Sequence, residues 1–123
     1  MSRSLEGMTV LDLSHALSGP FGTMLLAELG ADVIKVEPPG GDHFRPSNGG
    51  ATFAVVNRNK RGIAMDLKHP DSAQVMERLI DRADILVENF TPGTAARLGY
   101  GYDTVSARNP GIIYASISGF GQD

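Results

Sequence analysis

The chain is 123 residues long, a length typical of one domain with a real core. Its apolar content of 41% and charged content of 20% are those of a globular protein and exclude a disordered or fibrous one. The formal net charge of −3 gives no overall attraction to nucleic acid or anionic membranes, and the lack of cysteine excludes disulfides, cysteine-bound metals and thiol nucleophiles.

Histidine spacing and the lengths of apolar runs bear on metal binding and on the location of the protein. The three histidines, His15, His43 and His69, do not have the spacing of metal ligands. Residues 1–8 lack the apolar segment of a signal peptide, and no apolar run approaches the roughly 18 residues of a membrane span. We therefore expect a soluble, cytoplasmic protein whose partners include neither nucleic acid nor a membrane.

Residues 8–42 have the pattern of a strand, a loop, a helix and a second strand. Residues 8–13 and 31–37 are apolar, β-branched runs, and between them apolar residues recur at near-helical spacing up to Gly30. Two strands joined through a helix are expected to be parallel. The loop 14–20 is then predicted to lie at the carboxyl end of the first strand, where open α/β sheets bind ligands.

The later elements alternate in the same way. Residues 43–52 predict a long loop, and residues 53–56 fit either a short helix or an extended piece. Further strands are predicted at 63–67, at 85–87 running into 88–90, and at 112–117; helices are predicted from Pro70 to Ala83, at 94–98 and at 102–109.

This alternation predicts an α/β fold with an open, mainly parallel, Rossmann-like sheet that carries helices on both faces. The sequence ends just after a strand, at a glycine-rich loop where such folds normally continue into another helix. We therefore expect an incomplete protein.

A dinucleotide site is one hypothesis for the loop 14–20, with Glu37 in the place of a ribose-binding carboxylate. However, the segment Ser18-Gly19-Pro20-Phe21-Gly22 does not supply the glycine spacing that such a site requires. Gly19 also suits a simple turn, and Ser14 or Ser18 a helix cap. His15 fits a structural role better than a catalytic one.

Two later segments have both a structural and a binding interpretation. Arg58, Lys60, Arg61 and Lys68 concentrate positive charge, which fits either phosphate binding or an ordinary solvated loop. Residues 89–93, with Arg97 about one helical turn beyond, fit either a strand-exit turn or a grip on a nucleotide-bearing ligand.

Taken together, the segments resemble the N-terminal part of the class III CoA-transferases, the CaiB/BaiF family, over almost the whole chain. The matching stretches are LEGMTVLDLSHALSGPFGTMLLAELGADVIKVEPPGGDHFR, NRNKRGIAMDLKHPD, DILVENFTPGTAARLG and NPGIIYASISGFGQD. Several ordered motifs at family-like spacing make this resemblance specific.

The resemblance implies that residues 1–123 are the N-terminal part of a Rossmann-like CoA-binding domain in a larger enzyme whose subunits form an interlocked homodimer. Such enzymes move CoA between an acyl-CoA and a carboxylic acid through covalent intermediates on an aspartate, with CoA as a substrate and no covalently bound cofactor. The implied CoA contacts are Leu17, Ser18, Met65, Asp66, Leu67, Lys68, Asn89, Phe90, Thr91 and Arg97.

The resemblance also implies what this chain lacks. The family's nucleophilic aspartate lies downstream of the GFGQD segment, and Asp123 does not match it, so no catalytic residue is assigned and residues 1–123 alone are expected to be inactive. Pro38 stands where some formyl-CoA transferases carry a basic residue, so neither that CoA contact nor a formyl or oxalyl substrate is implied. An α-methylacyl-CoA racemase-like enzyme and a non-catalytic nucleotide-binding module are the alternatives.

Overall fold

A computed structural model describes residues 2–123, in which five strands alternate with helices. The strands are β1 (Thr9–Asp12), β2 (Asp32–Glu37), β3 (Arg61–Ala64), β4 (Ile85–Glu88) and β5 (Ile113–Ser116). The helices are α1 (Ser18–Glu28), α2 (Ala51–Asn57), α3 (Ser72–Arg82), α4 (Thr94–Arg97) and α5 (Tyr102–Arg108), and a short turn at Ser47–Gly50 precedes α2.

The five strands form one sheet in the order β3-β2-β1-β4-β5, and every neighbouring pair is parallel. The register aligns Leu11 with Ile34 on one side and with Leu86 on the other. The prediction of an open parallel sheet is therefore confirmed. Because β2 and β4 flank β1, the chain leaves the centre of the sheet in opposite directions, which places a topological switch point between β1 and β4.

Helices cover both faces of the sheet, as predicted. On one face Leu11, Leu13 and Leu86 pack with Met76 and Ile80 of α3. On the other face Val10, Val33 and Val87 pack with Ala27 of α1 and with Ala31. Alternate residues of β1 thus serve opposite cores, as the pleat of a strand requires. No helix among the described residues is long and apolar enough to cross a membrane.

Several element boundaries differ from the predicted ones. The third strand ends at Ala64 instead of continuing to residue 67, because the Asp66 carboxylate accepts a hydrogen bond from Lys68 N and turns the chain. Helix α1 already begins at Ser18, so Pro20 lies in its first turn, where a missing N–H costs little. Residues 53–56 belong to α2, which settles the choice between a helix and an extended piece.

Candidate functional site

The segments that the sequence singled out lie at one edge of the sheet. The loop with Leu17 and Ser18 follows β1, the segment Met65–Lys68 follows β3, and the segment Asn89–Thr91 follows β4. Because these strands are parallel, all three loops leave the sheet at its carboxyl edge. The fold therefore brings the predicted contact segments to the same side of the molecule.

The loops after β1 and β4 are joined across the switch point by one amide side chain. Asn89 Oδ1 accepts a hydrogen bond from His15 N, and Asn89 Nδ2 donates one to His15 O, each at 2.8 Å. An Asn side chain has two donors and an acceptor oxygen with two lone pairs. Its two hydrogen bonds to His15 therefore use one N–H and one lone pair of the Asn89 amide and leave one of each.

A buried ion pair lies beneath the loop after β1. Lys35 of β2 donates to Ser14 O at 2.7 Å and places its Nζ 2.9 Å from Asp42 Oδ2. Asp42 also accepts from Phe44 N at 2.9 Å and from Ala16 N at 3.3 Å. Burial alone raises the pKa of Asp42, but these hydrogen bonds and Lys35 outweigh it, so the pKa lies below its ordinary value.

His15 lies above this pair with its ring half-buried. Its Nδ1 is 4.0 Å from Asp42 Oδ2, and its ring centroid is 5.5 Å from that of Phe90. Burial, and next the charge of Lys35, lower the pKa of His15 below 6.5. The imidazole is therefore neutral at neutral pH.

A second buried ion pair fixes the start of α1. Lys60, whose side chain is 2% exposed, donates to Asp12 Oδ2 and Pro20 O at 2.9 Å and to Asn57 Oδ1 at 2.8 Å. Asp12 also accepts hydrogen bonds from the hydroxyls of Ser14 and Thr23. Burial lowers the pKa of Lys60, and Asp12 opposes that shift.

Glu37 does not occupy the role of a ribose-binding carboxylate. Arg45 binds it with two hydrogen bonds, Nε to Oε2 at 2.6 Å and Nη2 to Oε1 at 2.7 Å, and Asp42 N donates to Oε2 at 2.9 Å. Its carboxylate oxygens are therefore held by the chain itself, which corrects the dinucleotide hypothesis. These hydrogen bonds instead hold the loop after β2 against the end of that strand.

The basic cluster is largely used within the fold. Lys60 is buried against Asp12, Arg58 pairs with Glu28 at 2.8 Å, and Arg61 pairs with Asp32 at 2.5 Å. Within residues 2–123, Lys68 is the member of the cluster that forms no ion pair. Arg58, Lys60, Arg61 and Lys68 therefore do not form a joint phosphate site.

The segment after β3 presents backbone and polar groups. Met65 and Leu67 are partly buried against the core, whereas Asp66 and Lys68 are exposed. Met65 N continues the sheet pairing to Glu37 O at 2.8 Å. Beside this segment lies a cavity of about 390 Å³ lined by residues 37–41, Arg45 and residues 62–64.

The segment after β4 leads into α4 and Arg97. Arg97 Nη2 donates to Thr94 Oγ1 at 2.7 Å, and the guanidinium lies over Gly93. Thr91 and Thr94 hydroxyls are 2.9 Å apart. A second cavity, of about 330 Å³, is lined by residues 89–92, 118–121 and Asp123. Arg97 is thus exposed at the same edge as the predicted contacts Asn89, Phe90 and Thr91.

Sequence reasoning missed the two buried ion pairs beneath the site. A signal was present for Lys35, since a lysine within the apolar run of β2 must either snorkel to solvent or find a partner. The identity of that partner, Asp42, depends on how the loop after β2 folds back. No spacing in the sequence gives that information.

Comparison with known proteins places these features in a family. Residues 5–123 match the model of CoA-transferase family III. Formyl-CoA:oxalate CoA-transferase of Bradyrhizobium sp. is 47% identical over 98% of the chain and 30% of its own length. Succinyl-CoA:mesaconate CoA-transferase of Haloarcula hispanica is 45% identical over 96% of the chain and 32% of its own length. Acetyl-CoA:oxalate CoA-transferase of Acetobacter aceti is 46% identical over 95% of the chain and 32% of its own length.

Solved structures show the same relationship. A CAIB/BAIF family protein from Brucella suis superposes with a TM-score of 0.96 at 37% identity, over 100% of this chain and 35% of that one. Rv3272 from Mycobacterium tuberculosis superposes with a TM-score of 0.95 at 40% identity, and the match covers 98% of this chain and 35% of that one. The chain thus spans about a third of the length of these relatives, and it belongs to CoA-transferase family III.

Proposed function

We propose that residues 1–123 form the N-terminal part of the CoA-binding domain of an enzyme that moves CoA between an acyl-CoA and a carboxylic acid. The observation that carries the proposal is the convergence of the loops after β1, β3 and β4 at one edge, together with family membership. The Asn89 bridge supports a single continuous site, because it joins two of these loops across the switch point.

The chemistry of the edge suits CoA. Lys68 and Arg97 are exposed cations on either side of the β1 loop, and phosphates bind such groups. Leu17, Phe90 and the cavity beside residues 89–92 offer apolar surface to the rest of the ligand. A nucleotide held there would supply binding energy remote from the reacting thioester.

The chemical step is proposed to occur on an aspartate outside residues 1–123. A carboxylate nucleophile would divide the exchange into covalent steps, each with a lower barrier. The relatives named above act on formyl-CoA, succinyl-CoA or acetyl-CoA together with oxalate or mesaconate. Small dicarboxylates are therefore the acceptors we propose to test first, in an enzyme whose subunits form a dimer.

A thioester-exchange assay tests the proposal. The full-length protein is incubated with formyl-, acetyl- or succinyl-CoA and with oxalate or mesaconate, and CoA products are separated by chromatography. We expect a new acyl-CoA from at least one pair, and none from residues 1–123 alone. Racemisation of a 2-methylacyl-CoA without any exchange would overturn the transferase proposal.

Replacement of Arg97 tests the site. In the full-length protein, Arg97→Ala should raise the dissociation constant for CoA by about 10- to 100-fold, since a hydrogen bond to a charged group contributes about 1.5–3 kcal/mol. Isothermal titration calorimetry measures the constant. Arg82→Ala is the matched control, because Arg82 is also the last residue of a helix but lies at the opposite edge of the sheet. Equal constants for the two variants would remove Arg97 from the site.

A further inference from the structure

The His15 ring carries an unused polar atom within the proposed site. Its Nδ1 is enclosed and has no hydrogen-bond partner among the described residues. The side chain nevertheless keeps 23% of its surface exposed, so the accessible part of the ring lies away from Nδ1. The ring contacts Phe90, and the His15 backbone is held by Asn89, both of which are proposed CoA contacts.

An unpaired carboxylate oxygen of Asp42 faces the enclosed nitrogen. Asp42 is fully buried, and its Oδ2 also lacks an aligned hydrogen bond although Lys35 Nζ lies 2.9 Å away. Oδ2 faces His15 Nδ1 at 4.0 Å, about one ångström longer than a hydrogen bond. Buried polar atoms are costly when unpaired, and a ring position about one ångström closer to Oδ2 would pair both atoms. An Nδ1–H held by Asp42 leaves Nε2 as an acceptor.

The charges around the ring decide what Nε2 can accept. Lys35 and His43 disfavour protonation of the His15 ring, whereas Asp42 and Asp12 favour it. Burial adds to the first pair, so the ring is neutral. A neutral acceptor offers nothing to a phosphate or carboxylate, but it suits an uncharged N–H or O–H. The pantetheine arm of CoA carries such amide and hydroxyl groups.

We propose that His15 is a further contact residue of the CoA site, accepting through Nε2 a hydrogen bond from the pantetheine arm while Asp42 holds Nδ1–H. The inference rests on the proposed function, since it requires CoA to bind at this edge. Asp42 acts as a positioning residue, and Lys35 fixes Asp42 in turn.

Two near-isosteric substitutions in the full-length protein separate the two nitrogens. His15→Asn keeps a polar group at the position of Nδ1 and loses Nε2, whereas His15→Gln keeps one near Nε2. By isothermal titration calorimetry we expect His15→Asn to raise the dissociation constant for CoA about five- to tenfold, the size of one lost hydrogen bond. His15→Gln should stay within about twofold of the unsubstituted protein.

A shorter ligand provides the internal control. Adenosine 3′,5′-bisphosphate carries the nucleotide end of CoA without pantetheine, so its affinity should be the same in all three proteins. An equal loss for both ligands in His15→Asn would assign the ring a structural role and overturn the inference, as would an unchanged affinity for CoA. Absence of CoA binding by the unsubstituted protein would instead overturn the proposed function.

Discussion

Single side chains hold the loop after β1 by bonding to its backbone. Asn89 binds both the N–H and the carbonyl of His15, Asp42 accepts from Ala16 N, and Lys35 donates to Ser14 O. Ala16 has a φ of 63°, a left-handed conformation that is uncommon for a residue with a side chain. The surrounding hydrogen bonds maintain this conformation of the loop.

Gly19 is required at the start of α1 for steric reasons. A Cβ at this position would overlap the Cβ and Oγ of Ser14 and come within 3.5 Å of Asn89 Cγ. Because Ser14 is bound to Asp12, it cannot move without loss of buried hydrogen bonds. We expect Gly19→Ala to lower the free energy of unfolding of the full-length protein by about 1–3 kcal/mol, as urea denaturation would measure, and to raise the dissociation constant for CoA.

Gly22 is the matched control for that substitution. It lies in the same helix, one turn further on, and a Cβ there meets nothing within 4 Å. Gly22→Ala should therefore increase the free energy of unfolding by about 0.5–1 kcal/mol through helix propensity. If both alanine variants were stabilised alike, the close packing of Gly19 on Ser14 would be contradicted.

At the scale of elements, ion pairs join segments that are distant in the sequence. Lys60, in the turn between α2 and β3, reaches Asp12 at the end of β1 and Pro20 O in α1. Arg45 connects the loop after β2 back to Glu37. The first contact fixes the turn before β3 against the carboxyl end of β1, and the second fixes the loop after β2 against the carboxyl end of β2. Both lie at the edge of the sheet that carries the proposed site.

Removal of Lys60 should be strongly destabilising. In Lys60→Met an unbranched side chain of nearly the same length remains, but the buried Asp12 carboxylate loses its countercharge, which in other proteins costs about 3–5 kcal/mol. Denaturant unfolding of the full-length protein measures the change. Arg61→Met is the neighbouring control, because the Arg61–Asp32 pair is exposed and should contribute little. Comparable losses of unfolding free energy in the two variants would show that the burial of the Lys60–Asp12 pair does not determine its contribution to stability.

The order of elements was predictable because each has a strong local signal. The apolar runs at 8–13 and 31–37 contain β1 and β2, and the stripe from Val75 to Ala83 marks α3. Parallel pairing followed from the helices between strands. The end of β3 was misplaced, since its apolar run continues through Met65 and Leu67 while the turn at Asp66 depends on a side-chain hydrogen bond.

That the predicted contact segments share one edge of the sheet was predictable in the same way, but the interactions that support these segments were not. Loops that follow parallel strands leave the sheet at the same edge. The strand order, and with it the switch point between β1 and β4, was known only from the structure. The pairing of Lys35 with Asp42, or of Asn89 with His15, depends on contacts between residues far apart in the chain. Local pattern carries no information on such contacts. The CoA contacts themselves came from family resemblance and remain predictions.

At the scale of the whole molecule, α1 is apolar on two faces. Met24 and Ala27 are buried towards the sheet. On the other face an apolar residue recurs every four positions, and each is about half exposed: Leu17, Phe21, Leu25 and Leu29. A surface helix normally presents polar residues to water, and a helix that is apolar all round is normally covered.

This exposed stripe should make isolated residues 1–123 self-associate. Sedimentation velocity over a range of concentrations should show species larger than a monomer, because association removes the stripe from water. The double substitution Phe21→Lys and Leu25→Glu should shift the distribution towards monomer while circular dichroism stays unchanged. Val75→Glu, at an exposed apolar position on α3, should not shift it. A monomer at every concentration would show that α1 is stable in water without a cover, and equal shifts for both sets of substitutions would show that charge alone, not the stripe, controls association.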